Sequence, residues 1–285
     1  MTAHPAPSTD AVLRSALAGE GAARRVTLDP GFQGLPDTAH GGTVLALFDA
    51  VAATRGPRTL AGTYRRRVPL GMPLGLAIAR DGGATSLRLT DGATLLVDGV
   101  VTPADDETMP APTRWEPPAP DHLLPLSRTC FVCGVDNPLG LQARLAIDDD
   151  GVGATWTPRP ALRVGGDRLA PVAITGLLDE AAFWLGAAAS GEAGMTTELQ
   201  VRMHGVPGAA RTVVVGGSRR AVRARAGDAR YWETDAAAWD DEGRLLASAR
   251  ITFVAVRGSA KKLVAGLLAI NPPEVIRRVF PAYVR

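Results

Sequence analysis

Two stretches of this chain are apolar nearly all the way round a helix, and each carries an acid two turns from its start. The first is Gly41-Gly42-Thr43-Val44-Leu45-Ala46-Leu47-Phe48-Asp49, the second Pro171-Val172-Ala173-Ile174-Thr175-Gly176-Leu177-Leu178-Asp179. They superimpose at an offset of 130 residues, which also sets His40 on Ala170 and Pro30 on Pro160. A helix without a polar face has to be enclosed, and a wrapped sheet encloses it. Candidate strands follow each helix: residues 64–68, 74–80, 86–90 and 94–102 in the first half, and 197–203, 211–216, 221–226 with 229–240, and 245–256 in the second. Residues 24–28 precede the first helix as a strand, and residues 142–147 and 153–157 precede the second. Pro, Gly and Asp turns separate them, so the pairing is expected to be antiparallel. A period this long is no solenoid repeat; it reads as two copies of one domain.

The remaining segments complete the layout. Residues 1 to about 10 read as disordered and residues 11–18 as a short helix. Arg55-Gly56-Pro57 ends the first buried helix, while the second, about residues 174–189, runs longer. Between the halves lies a Pro-rich linker with Pro110, Pro112, Pro117, Pro118, Pro120 and Pro125. The expected division is residues 1–108, linker 109–127, second unit 128–257 and a helical tail 258–285. The tail stretch 261–270 is too apolar to stand alone in water, and is expected to pack outside the sheets or across a pocket mouth.

Composition narrows the class. The chain has 285 residues, 46% hydrophobic and 21% charged, the balance of a globular protein large enough for two domains. A net charge of +2 excludes nucleic acid as the default partner. Residues 1–10 have neither a basic nor an apolar signal region. The longest apolar run is broken by Asp179 and Glu180, so no membrane span and a cytoplasmic location are expected. Two cysteines cannot make a disulfide framework. Cys130 and Cys133 have the spacing of a metal pair, but zinc takes four ligands and no second pair exists. The four histidines form no spaced cluster, so the expectation is a structural turn, with no metal and no cofactor.

The first motif has the makings of a site. Gly41 and Gly42 let a ligand approach backbone closely. The first N–H groups of the helix are unpaired and lie at its positive end, where a carbonyl oxygen turning into an oxyanion would be held. Asp49 and Asp179 are carboxylates on otherwise apolar helices.

This order of elements, with His40-Gly41-Gly42 and an acid nine residues after the histidine, resembles the hotdog-fold acyl-CoA thioesterases, especially the phenylacetyl-CoA thioesterase type. Cys130-Phe131-Val132-Cys133-Gly134 and Asn137-Pro138-Leu139-Gly140-Leu141 resemble the opening of other hotdog proteins. The resemblance covers roughly residues 25–105 and 128–256. It implies an α+β fold of two hotdog domains in one chain, each an antiparallel sheet wrapped around a central helix, with the active site between them. It implies an acyl-CoA or acyl-carrier thioester as substrate, and a homodimer of double hotdogs as an open option.

Helix geometry agrees with that pairing. Asp49 lies ~10 Å down the axis from Gly42, beyond reach of a carbonyl held at the helix start. A working acid must come within ~3 Å of the atom it serves, so it comes from the other copy. Two composite sites follow: the Gly41/Gly42 turn with Asp179, and the Pro171/Val172 turn with Asp49. Pro171 has no N–H to donate, so the first is the expected catalytic site, comprising His40, Gly41, Gly42 and Asp179. Thr196 or Thr197 stands where the family has a hydroxyl that orients the acid, and Thr63 is its counterpart beside Asp49 in the second, degraded site. Phe48, Phe183 and Trp184 are the candidate lining of the substrate pocket.

Other readings of these residues stay open. His40 could be a turn residue only, and Glu180, next to Asp179, could be the working acid. Arg65, Arg66 and Arg67 could meet phosphates, although strand alternation turns Arg66 away and favours a solvated edge. A dehydratase on the same fold fits the loop from Phe32 to Pro36, but Gly31 and Ala161 stand where its histidine belongs. An acyl- or polyketide-binding module without turnover is the non-enzymatic alternative.

Overall fold

The computed structural model describes residues 7–104, 116–119, 122–205 and 208–284. In the first unit, α1 (Thr9–Ser15), β1 (Leu17–Ala18) and β2 (Ala23–Val26) precede α2 (Gly41–Ala52), and β3 (Arg58–Tyr64), β4 (Leu74–Asp81), β5 (Ala84–Asp91) and β6 (Thr94–Pro103) follow it. In the second, β7 (Ala146–Ile147), β8 (Gly151–Trp156), β9 (Arg163–Val164) and β10 (Arg168–Leu169) precede α3 (Pro171–Ser190). After it come β11 (Gly194–Met203), β12 (Val213–Ser218), β13 (Arg223–Ala224), β14 (Tyr231–Asp240) and β15 (Leu245–Ala255). The tail forms α4 (Ala260–Leu267) and α5 (Pro273–Arg277).

One antiparallel sheet runs through both units in the order β1-β2-β4-β5-β6-β3-β11-β15-β14-β12-β8-β7. The units meet edge to edge at β3 and β11, from Thr63 opposite Glu198 to Arg58 opposite Met203. That seam leaves neither central edge unpaired, which removes two aggregation-prone edges at once. The sheet curls round α2 and α3, which pack on each other. Both helices are buried on nearly every face, as their all-round apolar sequence requires. Of the described helices only α3 is long and apolar enough to cross a membrane, and it is mostly buried as the core of its unit.

Local chemistry sets the helix ends. Pro171 occupies the first turn of α3, where its missing N–H costs nothing. Gly191, at φ 69°, closes α3 in the left-handed conformation that glycine adopts without penalty. The close approach of α2 to α3 depends on Gly42, because a Cβ there would overlap the carbonyl of Thr175.

Several expected boundaries move. The strand expected at residues 64–68 is Arg58–Tyr64, so Arg65, Arg66 and Arg67 leave the sheet as a loop. Residues 59–63 carry that strand, and its pairing with β6 and β11 decides where it stops. Residues 142–147 reduce to a two-residue strand, and residues 221–226 to a 3-10 turn followed by another. The helix expected at 11–18 is Thr9–Ser15, capped by Ser8, so residues 8–10 are ordered with Asp10 buried. Residues 1–6 and most of the Pro-rich linker lie outside the described residues. The tail packs down: Val264, Leu267, Ile276, Val279 and Phe280 are buried. Asn271 ties it to the backbone of Leu126, and the Tyr283 hydroxyl donates to Glu192 at 2.5 Å.

Candidate active site

The turn before α2 and the middle of α3 meet at one wall of a cavity of about 840 Å³. Asp179 comes from the third turn of α3 and points at the start of α2. Its Oδ2 accepts the backbone N–H of Gly42 at 2.9 Å, and its Oδ1 accepts the Thr196 hydroxyl at 2.7 Å. A register shift in β11 between Thr196 and Glu198 turns the strand at this point. Such a bulge re-aims side chains, and here it sends Thr196 to Asp179 while Thr197 bonds the Thr252 carbonyl. Glycine is required on the α2 side, since a Cβ on Gly41 would sit 2.8 Å from Asp179 Oδ2. The Tyr64 hydroxyl donates to the Gly41 carbonyl at 2.6 Å and fixes the turn from β3.

His40 lies between two acids. Its Nδ1 is 3.2 Å from Asp179 Oδ2 and its Nε2 is 3.4 Å from Glu180 Oε2. Burial opposes a charge on this ring, but the hydrogen bond to Glu180 and the charge of Asp179 outweigh it, and its pKa is pushed up to about 9. Glu180 is held below the usual carboxylate range. Burial works against its charge, and the His40 contact overrides it. Its Oε1 accepts the Trp184 indole N–H at 3.0 Å, and the Cys130 thiol donates to Oε2 at 3.7 Å. Nδ1 of His40 makes an ion pair with Asp179 but no hydrogen bond.

The expected residues divide into those the fold brings together and those it does not. His40, Gly41, Gly42, Asp179 and Thr196 share one wall. The N–H of Gly42, expected to hold substrate, is taken by Asp179. Gly41 lines the cavity, and no hydrogen bond of its N–H is seen among the described residues. Phe183 and Trp184 line the cavity, edge to face at 5.2 Å. Phe48 does not: it is fully buried against Gly99, because its face of α2 turns to the sheet. Asp49 and Thr63 do not form a second site. Asp49 is bound bidentately by Arg58, at 2.5 and 2.7 Å, while Thr63 lines the Asp179 cavity.

Sequence reasoning missed Arg58, Tyr64 and the approach of Cys130 to Glu180. A lone arginine directly after the helix-ending Gly56-Pro57 was the available signal for the first; nothing local signals the others. The Arg65–Arg67 run, read as a solvated strand edge, forms part of the cavity rim with Arg128 and Lys262.

No protein-family model matches the chain, and no curated protein does. Solved structures match over most of its length. An acyl-CoA thioesterase II from Mycobacterium marinum is 14% identical with a TM-score of 0.60, covering 89% of this chain and 100% of that one. A conserved protein with a hot dog fold from Alicyclobacillus acidocaldarius is 12% identical, TM-score 0.55, covering 87% and 97%. GphF dehydratase 1 is 15% identical, TM-score 0.51, covering 84% and 96%. The fold is a double hotdog. At such identities the likeness is one of fold, and both hydrolase and lyase names occur among the neighbours. Within this double hotdog, the hotdog helices α2 and α3 each bring one half of the candidate site to the seam between units.

Proposed function

We propose that the chain hydrolyses an acyl thioester, with coenzyme A as the carrier the site best accommodates. The observation that carries this reading is Asp179, a carboxylate locked by Gly42, Thr196 and His40 beside the N–H of Gly41. In the reaction a water loses a proton to Asp179 as its oxygen attacks the thioester carbonyl carbon. The oxyanion that forms accepts the N–H of Gly41 at the positive end of α2. The C–S bond then breaks, and the departing thiolate takes the proton back from Asp179. Phe183, Trp184 and Leu267 would bed the acyl chain, and Arg66, Arg67 and Lys262 at the rim suit a phosphorylated carrier.

The dehydratase alternative needs a histidine free to act as a base. His40 has one ring nitrogen on each of two carboxylates and favours the protonated form. That favours hydrolysis. The test is thiol release by the purified protein from a panel of acyl-CoAs. Turnover is expected, and Asp179→Asn, which keeps the shape, should lower kcat by ~10²–10⁴-fold with folding intact. Saturable acyl-CoA binding without thiol release would favour the binding-module reading. Full turnover by Asp179→Asn would remove Asp179 from the mechanism.

A further inference from the structure

Behind Asp179 lies a buried donor cluster that takes no direct part in the bond-making steps proposed above. His40, Cys130 and Glu180 place one ligand atom each within 4.8 Å of one another. Glu180 Oε2 is 3.4 Å from His40 Nε2 and 3.7 Å from Cys130 Sγ. Donors bound to one zinc ion at 2.0–2.3 Å in a tetrahedron stand about 3.3–3.8 Å apart, so two edges of this cluster already have the right length. Cys133, buried three residues on in the same turn, lines the same cavity.

We propose that Cys130, Cys133, His40 and Glu180 bind one zinc-class divalent cation that pins the start of α2 to α3 and to the cysteine turn. The proposal stands apart from the hydrolase reading. Three features of the surroundings support it. The N–H of Val132 donates to Cys130 Sγ at 3.3 Å, and the N–H of Gly134 to the Cys130 carbonyl at 2.9 Å. This tight turn seats the Cys130 sulfur against Glu180. Trp184 holds Glu180 Oε1 at 3.0 Å, which leaves Oε2 turned to the other donors. With the metal on Nε2 the His40 proton sits on Nδ1, 3.2 Å from Asp179 Oδ2. A carboxylate against the second nitrogen of a ligating histidine is the usual outer partner of such metals.

Mixed sulfur, imidazole and carboxylate donors suit zinc over magnesium or calcium. Four protein ligands close the coordination sphere, so the ion would be structural, with no position for substrate. On binding, the thiol protons and the Nε2 proton pass to solvent. Without a metal, a proton on His40 is the cation that holds the two acids together.

The test uses the full chain, purified with a thiol reductant, exposed to Zn²⁺ alone and then dialysed against metal-free buffer. One zinc per chain is expected, with a higher melting temperature that a chelator reverses. Co²⁺ in its place should show sulfur-to-cobalt charge transfer and the intense visible bands of a tetrahedral site. Cys130→Ser should weaken Zn²⁺ binding by at least ~100-fold, since even outer partners are worth 10–100-fold. Cys133→Ser and Glu180→Gln should weaken it too, and circular dichroism of the metal-free variants checks that each is folded. If the native chain retains no zinc, or Cys130→Ser and Glu180→Gln retain it undiminished, the site is refuted.

Discussion

Replacing Asp49 by Asn separates a structural ion pair from a second active site. Asp49 and Arg58 are each only 6% exposed along the side chain. The guanidinium donates Nε and Nη2 to the two carboxylate oxygens at 2.5 and 2.7 Å, and Nη1 to the Gly56 carbonyl at 2.9 Å. Asn keeps the shape and one acceptor but leaves the Arg58 charge buried without a counter-charge. Breaking such a pair from one side costs about 3–5 kcal/mol, against a total stability of about 5–15 kcal/mol for a typical protein. Urea unfolding of Asp49→Asn should therefore show a much lower midpoint with an unchanged slope. Below the transition its kcat should match the native chain, because Asp49 lies outside the Asp179 cavity and the facing turn begins with Pro171. Replacing both partners, as Asp49→Leu with Arg58→Met, should restore stability to within about 1 kcal/mol of native or better, since no lone charge remains. Native stability combined with a collapse of kcat in Asp49→Asn would mean that Asp49 is a working acid and the ion pair incidental.

Other variants probe the two halves of the site and the parts that frame them. Thr196→Val removes a hydrogen bond to a charged oxygen of Asp179, worth about 1.5–3 kcal/mol, so kcat should fall by roughly 10–100-fold in thiol-release assays. An unchanged kcat would free Asp179 from that support. Gly42→Ala drives a methyl into the Thr175 carbonyl where α2 crosses α3, and should cost about 1–3 kcal/mol in chemical denaturation. Phe280→Ala empties a fully buried position beside Trp184 and should cost about 3–5 kcal/mol, whereas a tail that does not contribute to the fold would show no loss.

The two apolar helices, the antiparallel strands and the duplication were legible in the sequence, although the second helix starts at Pro171 rather than near residue 174. Periodicity and turn chemistry are local properties that survive without any tertiary information. The composite pairing of the Gly41/Gly42 turn with Asp179 was legible for a similar reason: helix rise alone puts an acid two turns down out of reach of its own N-terminus. Long-range packing decided the rest. Asp179, rather than a substrate, accepts the N–H of Gly42 because the helices cross within van der Waals contact there. Thr196 rather than Thr197 reaches the acid because β11 bulges against β15. Asp49 is neutralised by Arg58 and Phe48 turns to the sheet, although their counterparts Asp179 and Leu178 look alike in the pattern. Cys130 lies ninety residues from His40 and fifty from Glu180, a separation at which sequence spacing carries no record of contact. Only the wrapping of two sheets round two helices brings those donors to one point.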